Sequence, residues 1–383
     1  MINTPLPKEI LYSWLEINLK GIAANFETMQ NYTKHHNIFV VIKADAYGHG
    51  AIEVARHLLT SVKTPPLKFA VARLEEALEL RSSGITHPVF VLAAPTKEQA
   101  AVAISNNIEM VVYDEETIKT ISEIANAQGK KAFVHLKTDI GMGRVGCRPE
   151  NVPTLGKLIV DSPSLVFEGM MSHMPFADSP PPERTRKMIE IFKKARKCLA
   201  EQGTNPTYTH LANSASILDF PEAHFNAVRL GICLYGQEPS SDVLTKPKLV
   251  PGMSLYTRVA FLKQVPANQG ISYMHLYTTT EPTMVATLPV GYADGLPRSA
   301  TNKCKVLIND CLAPEIGRIC MDQMMINVNG IPDVHVGSIA TVFGRSPDRK
   351  TIRPVEEFAD WAGTIGYEIT TRIGKRLIKF YNK

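Results

Sequence analysis

The sequence predicts an α/β protein, a (β/α)8 TIM-type barrel followed by a mostly β C-terminal domain. Three observations carry this. Eight apolar runs alternate with amphipathic segments between residues 38 and 230. That rhythm stops near residue 245 and β-like runs without helices follow. Lys, His or Arg stands at the end of five of the eight runs, where a barrel places its chemistry. A chain of 383 residues has room for two domains.

Phe39-Val40-Val41-Ile42 is the first run, and apolar residues follow at helical spacing through Val54-Ala55 and Leu58-Leu59. Phe69-Ala70-Val71 is the second, with a helix through Leu74, Ala77 and Leu78 that stops at Gly84. After Val89-Phe90-Val91-Leu92, the spacing Thr96-x-x-Gln99 reads as a capping box that opens the next helix. Met110-Val111-Val112 precedes a helix carrying Ile118, Ile121, Ile124 and Ala125, closed by Gly129. Ala132 to Leu136 is the fifth run and Leu165 to Met171 the sixth. A long helix then presents Met188, Ile191, Phe192, Ala195 and Leu199 on one face. Tyr208 to Leu211 is the seventh run, and Ala227-Val228 with Leu230 the eighth. Continuous apolar runs suit parallel strands covered on both faces. Eight such units in about 200 residues favour a closed barrel over an open sheet.

Lys246 to Gly252 reads as a linker. Beyond it lie the runs Val259–Leu262, Met284–Leu288, Val306–Ile308, Met325–Val328 and Ile339–Phe343, with turn signals at Asn309-Asp310 and Asn329-Gly330. A short helix from Val355 to Trp361 and a final segment close the chain. The expected domains are a barrel over 12–245 and a β domain over 246–383, with residues 1–11 packing on the latter.

Lys+Arg is 42 against Asp+Glu 37, a net charge of +5. No basic block alternates with aromatics, so no nucleic-acid partner is expected. No apolar run approaches the roughly 18 residues of a membrane span, and no membrane partner is expected. The start, Met1 to Pro7, has neither a basic nor an apolar stretch of a secretory signal. The six cysteines form no C-x-x-C, which suits reduced thiols in a cytoplasm. No metal-ligand cluster is evident, and no metal is expected. Gly141 to Gly146 satisfies G-x-G-x-x-G, but it leads into a loop and not into the helix a dinucleotide site needs.

The charged strand ends are Lys43, Lys137, His173, His210 and Arg229, after strands one, five, six, seven and eight. The loops after strands seven and eight are where barrels bind phosphate. There Ser214 offers a hydroxyl at a helix start, and Gly231 lets backbone approach an anion.

Val41-Ile42-Lys43-Ala44-Asp45-Ala46-Tyr47-Gly48-His49-Gly50 resembles the pyridoxal 5'-phosphate attachment segment of the alanine racemase family. Similar segments follow in order: His135 to Arg144, Ser172-His173, Ala212 to Ala215, Val228 to Ile232, Leu234-Tyr235-Gly236, Ser272-Tyr273, Gly291 to Gly295, Gly317 to Gln323 and Thr364 to Glu368. The resemblance implies a barrel followed by a β domain, a pyridoxal phosphate cofactor and interconversion of L- and D-alanine, which supplies D-alanine for peptidoglycan. It implies that Lys43 carries the cofactor as a Schiff base and then acts as one base, with Tyr273 as the other on the opposite face of Cα. Tyr47, Ser214, Gly231, Ile232 and Tyr367 would hold the phosphate, with His173 and Asn213 also against the cofactor. Arg229 would face the pyridine nitrogen. A guanidinium stays charged and accepts no proton, so that nitrogen stays unprotonated. A chain from Tyr273 through His173 and Arg229 to His210 would help the phenol act as a base.

By the same resemblance Arg144 and the Met321 N–H bind the substrate carboxylate, and Lys137 is a candidate for carbamylation. Asp322 supports the site. Asp178, Tyr292, Asp294, Arg298 and Arg318 line the substrate path. Tyr273 is implied to reach the barrel of a second copy, giving a head-to-tail homodimer with shared active sites. Met174-Pro175, Met274 and Ile140 depart from the family pattern and bear on substrate size. The alternatives are a serine or broad-specificity amino-acid racemase, and a non-catalytic pyridoxal-phosphate-binding protein.

Overall fold

The structure is a computed structural model that describes residues 7–33 and 37–382. Every one of the eight apolar runs is a barrel strand: Ile38–Val41, Lys68–Val71, Val89–Val91, Ile108–Val112, Ala132–Lys137, Leu165–Met171, Tyr208–His210 and Val228–Leu230. Each pairs in parallel with the next through the seventh, and the first also pairs with the eighth. A parallel bridge between His210 and Ala227 closes the ring. Phe39, Phe69, Phe90 and Val111 are fully buried, as strands under a sleeve of helices must be. The predicted capping box is present, with Gln99 N donating to Thr96 Oγ1 at 3.3 Å and Thr96 N to Gln99 Oε1 at 3.1 Å. Asp114 is the N-cap of the helix Glu115–Ala127, accepting from Thr117 N at 2.7 Å.

The second domain is mostly β. Its main sheet runs Cys311–Pro314, Lys305–Ile308, Ile339–Arg345, Met253–Arg258, Ser13–Asn18, Ile378–Asn382, with Ile352–Arg353 joined to Ile339–Arg345. A second sheet pairs Phe261–Val265, Thr283–Leu288 and Met324–Asn327, and a ribbon joins Gly270–Ile271 to Tyr277–Thr278.

The strand Ser13–Asn18 corrects the expected boundary at residue 12, because it lies in the main sheet of the second domain and not in the barrel. It runs antiparallel to Met253–Arg258 and parallel to Ile378–Asn382. Trp14, Leu15 and Ile17 are buried there, and both strand edges find backbone partners, which no position outside a closed barrel would give. Asn18 then caps the helix Leu19–Gln30, accepting from Gly21 N at 3.0 Å. Lys8 reaches Glu16 at 2.6 Å, and Leu11 O accepts from Arg258 Nε at 3.2 Å, so residues 8–11 lie against this sheet. Residues 1–6 of the segment expected to pack there lie outside the described residues. The helix Val355–Ala362 matches expectation, whereas the helix Gly366–Arg372 within the final segment was not foreseen. Among the described residues no helix is long and apolar enough to cross a membrane.

Candidate active site at the barrel mouth

Lys43 follows the first barrel strand and opens an unusual turn. Ala44, Asp45, Ala46 and Tyr47 all have φ between 52° and 54°, four consecutive non-glycine residues in the left-handed region. Such residues cost roughly 1–2 kcal/mol each. The surroundings hold them there. Glu76 Oε1 accepts from Ala44 N at 2.6 Å, Asp45 Oδ1 from Ala51 N at 2.8 Å, and the carbonyls of Ala46 and Tyr47 lie 3.0 and 3.1 Å from His49 Nδ1. Lys379 of the second domain pairs with Asp45 at 2.5 Å. Backbone strain that the environment over-determines marks a functional position. Glu76 and His49 were missed by sequence reasoning, since neither stands at a strand end.

The loops after the seventh and eighth barrel strands bring Ser214 and Gly231 together with Tyr47. Ser214 opens the helix Ser214–Asp219, and Asn213 caps it, accepting from Ser216 N at 3.1 Å. Gly231 N donates to Ser214 Oγ at 3.0 Å. A Cβ on Gly231 would stand 3.0 Å from Tyr47 Oη and 3.7 Å from Ser214 Oγ, so the two hydroxyls and this backbone converge on space only glycine leaves open. Ile232 is buried in the next turn. Tyr367 packs near Tyr47, with ring centroids 6.1 Å apart. Burial raises both phenols, so each keeps its proton and can donate to an anion. Asp178 lies close enough to Tyr367 to add to that rise.

Arg229 is buried, and its terminal nitrogens are committed. Nη1 contacts His210 Nδ1 at 3.1 Å and His210 O at 2.6 Å; Nη2 donates to Ser172 O at 2.7 Å and Leu211 O at 3.0 Å. Of the five guanidinium donors only Nε–H has no partner among the described residues. It is the donor left for an acceptor in the mouth. Burial and cationic neighbours dominate the remaining groups. Lys43 is lowered by burial and by Arg144, against which Glu76 acts in part. Lys137, only 5% exposed, is pushed down to about 8 by burial, Arg229 and Arg144. His173 is pushed down to about 3 by burial, Arg229, Arg144 and Lys137, so it is neutral at pH 7. A mouth this rich in cations, with two hydroxyls and an open glycine backbone at one side, fits a phosphate-bearing carbonyl cofactor such as pyridoxal phosphate. An amine with a lowered pKa is also the better nucleophile toward its aldehyde.

The structure leaves a second group of expected residues apart from these. Tyr273 is 68% exposed and makes no hydrogen bond or ring contact among the described residues. Among the described residues, the Arg229–His210 link is the one hydrogen bond found of the expected Tyr273–His173–Arg229–His210 chain. The Tyr273 segment is held by Ser272 Oγ, which donates to Arg318 O at 2.7 Å. Ser272, Met274 and His275 have φ of 61°, 62° and 45°, and Arg318 Nη1 rests on Met274 Sδ at 3.1 Å. Tyr292 N and Ala293 N donate to the carbonyls of Cys320 and Met321 at 3.1 and 3.0 Å, so the loops bearing Tyr292, Arg318 and Met321 are joined. Asp294 does not line an open path. It is buried, caps its own turn at Gly291 N (2.8 Å) and holds Arg376 at 2.7 and 3.0 Å. Asp322 shares Arg376 at 2.8 Å, and Arg298 is exposed beside this turn. No cluster of metal-ligating side chains exists among the described residues.

Residues 17–239 match the family profile described as "Alanine racemase, N-terminal domain", and residues 252–381 match "Alanine racemase, C-terminal domain". The chain is 40% identical to an alanine racemase of Clostridium tetani over 372 residues, 96% of this chain and 95% of that one. It is 39% identical to one of Methanococcus maripaludis, over 96% of this chain and 98% of that one. Among solved structures, an alanine racemase of Clostridium difficile superposes with a TM-score of 0.90 at 39% identity, covering 97% of this chain and 96% of that one. One from Bacillus anthracis with bound L-Ala-P gives 0.89 at 34% identity, covering 99% and 96%.

Proposed function

The chain belongs to the alanine racemase family, and from that premise we infer that it interconverts L-alanine and D-alanine with pyridoxal phosphate, supplying D-alanine for peptidoglycan. The observation that carries this reading beyond family membership is the mouth itself. Lys43 stands on a strained, over-determined turn beside a two-hydroxyl anion cradle and a guanidinium with one donor to spare. When bound, pyridoxal phosphate acidifies the substrate Cα–H by drawing off its electron pair. The chain's residues do the rest. Ser214, Tyr47, Tyr367 and the backbone at Gly231 and Ile232 hold the phosphate. Arg144 and the Met321 N–H hold the substrate carboxylate. The Lys43 amine, favoured in its neutral form by burial and by Arg144, takes or returns a proton on one face of Cα. The Tyr273 phenol does so on the other.

Tyr273 is supplied by a second copy in a head-to-tail homodimer. Its exposure, shared by Met274 at 75% and Met321 at 53%, supports this, because a base standing in water on the lone chain serves no reaction there. Lys137, a buried lysine among cations, in its neutral form adds through Nζ to carbon dioxide and releases one proton to solvent, and the resulting carbamate anion pairs with Arg144. Two experiments test the reading. Incubating the protein and pyridoxal phosphate with single L-amino acids, followed by chiral chromatography, should give D-alanine ahead of every other product. Equal racemisation of serine or larger amino acids would make it a broad-specificity racemase, and no racemisation with cofactor held at Lys43 a binding protein. Mixing Lys43→Ala and Tyr273→Phe subunits should restore about a quarter of wild-type turnover, because half of a random mixture is heterodimer with one intact site of two. No restoration would refute the shared site.

A further inference from the structure

The contact between Arg229 and His210 is the first link of a longer chain through the barrel interior. His210 Nε2 lies 3.0 Å from His135 Nδ1, and His135 Nε2 lies 2.8 Å from Glu109 Oε2. Glu109 Oε1 accepts from Lys68 Nζ at 2.5 Å, and Lys68 also pairs with Glu168 at 2.5 Å. His135 and His210 are fully buried, and Arg229, Lys68 and Glu109 are at most 7% exposed. Phe39 and Phe90 enclose the imidazoles, with the Phe90 centroid 4.1 Å from that of His135.

Donor and acceptor chemistry leaves one arrangement of protons along this chain. A guanidinium only donates, so His210 Nδ1 must accept and the His210 proton sits on Nε2. That N–H donates to His135 Nδ1, which is therefore bare. The His135 proton then sits on Nε2 and donates to the Glu109 carboxylate, whose other oxygen takes the Lys68 ammonium. Reversing the rings would set an N–H of His210 against an N–H of Arg229 and a lone pair of His135 against a carboxylate oxygen. The two ends agree, and the chain is unfrustrated. Each ring is neutral, consistent with burial lowering both histidines and, for His210, with Arg229 lowering it further. Burial alone would raise the Glu109 carboxyl, but His135 and Lys68 outweigh it and keep it below the usual range.

We propose that Glu109 and His135 are positioning residues for the reaction, fixing His210 as the Nε2–H tautomer so that its Nδ1 anchors Arg229 and the guanidinium keeps Nε–H as its one free donor. Neither touches the cofactor or substrate; each acts through Arg229. A chain that merely filled space would place no demand on the tautomers. The consequence for turnover rests on the racemase reading above, whereas the tautomer assignment does not.

The test is 15N NMR of the holoenzyme labelled at histidine, with the His135 and His210 signals assigned by single substitution. Both rings should show a protonated Nε2 and a bare Nδ1. An Nδ1–H tautomer, or a mixture, on either ring overturns the proposal, whatever the enzyme racemises. In Glu109→Gln the amide presents either a donor or an acceptor to His135, so the single-tautomer pattern should be lost. Alanine turnover should then fall about tenfold with KM changed by less than about twofold, because Arg144 is untouched. Glu168→Gln, which removes a charge from beside Lys68 but takes no hydrogen bond from either imidazole, should leave the tautomers and kcat unchanged. Intact tautomers in Glu109→Gln, or altered tautomers with full turnover, would each refute the positioning role. If Glu109→Gln does not fold, the wild-type spectrum still decides the assignment.

Discussion

Gly169→Ala should break the barrel interior at one identifiable point. Gly169 lies in the sixth strand beside His135, and a Cβ there would stand 2.0 Å from His135 Nδ1 and 2.7 Å from its Cε1. Ordinary contact is roughly 3.4 Å or more, so the ring must shift by more than about 1 Å, and interiors are packed too tightly to absorb that. Phe90 blocks retreat on one side. A shift of that size loses the 3.0 Å bond to His210 and the 2.8 Å bond to Glu109. The first is worth about 0.5–1.5 kcal/mol and the second, to a carboxylate, about 1.5–3 kcal/mol. Overpacking adds about 1–3 kcal/mol, and the lower chain entropy of alanine returns about 0.4–1 kcal/mol. The expected loss is about 2–7 kcal/mol, read as a lower urea midpoint by circular dichroism. In a His135→Ala background the methyl has room, and the penalty should vanish. A cost below about 1 kcal/mol, or the same cost in both backgrounds, would refute the reasoning.

Three further outcomes are expected. Gly231→Ala should weaken pyridoxal phosphate binding by about tenfold or more in fluorescence titration, since its methyl meets Tyr47 Oη at 3.0 Å and a charge-assisted phosphate contact is lost; unchanged affinity would remove the cradle from consideration. Lys137, with its pKa pushed down to about 8, is the neutral amine in roughly a tenth of molecules at pH 7 and nine tenths at pH 9. Carbamate formed from 13C-bicarbonate should therefore grow across that range, and a flat response would refute carbamylation at this lysine. Stability should fall as pH drops below about 6.5, the value for an unfolded histidine. His173 and His49 titrate near 3 and 4 in the fold, and His135 and His210 are also lowered. The unfolded chain thus binds protons first, and each group contributes up to about 1.4 kcal/mol per pH unit. A urea midpoint that stays level from pH 7 to 5 would contradict their neutrality.

The barrel was legible because parallel strands covered on both faces must be apolar throughout, and nothing in a loop imitates eight such runs in series. Lys43, Lys137, His173, His210 and Arg229 were legible for a related reason, since a charge closing an apolar run marks a strand's carboxyl end. Ser13–Asn18 was not, because its partners Met253–Arg258 and Ile378–Asn382 lie more than two hundred residues away and the local pattern does not say which sheet a strand joins. Nor were Lys68, Glu109 and His135. They sit at the start or middle of strands, where a charge reads as an interruption, and only the closed ring turns them toward one another. The left-handed turn at Ala44–Tyr47 was hidden as well, because none of its residues is glycine and its support comes from Glu76 and Lys379 in distant elements.

The barrel interior divides into two electrostatic zones, and Arg229 belongs to both. Deep inside, Glu109 and Glu168 exceed Lys68 by one negative charge, the imidazoles are neutral, and Arg229 at the far end of the chain supplies the balancing cation, so charge is closed without help from any ligand. At the mouth it is not. Lys43, Lys137 and His173 are each lowered in part by other cations, and the acids acting against them, Glu76 on Lys43 and Asp139 on Lys137, do not cancel the effect. That surplus is unfavourable for the empty fold and favourable for anything that brings a phosphate and a carboxylate. A buried network that satisfied Arg229 completely would remove the surplus and the spare Nε–H together. The four fixed contacts to its terminal nitrogens hold the guanidinium still and leave one donor and the positive field facing the mouth.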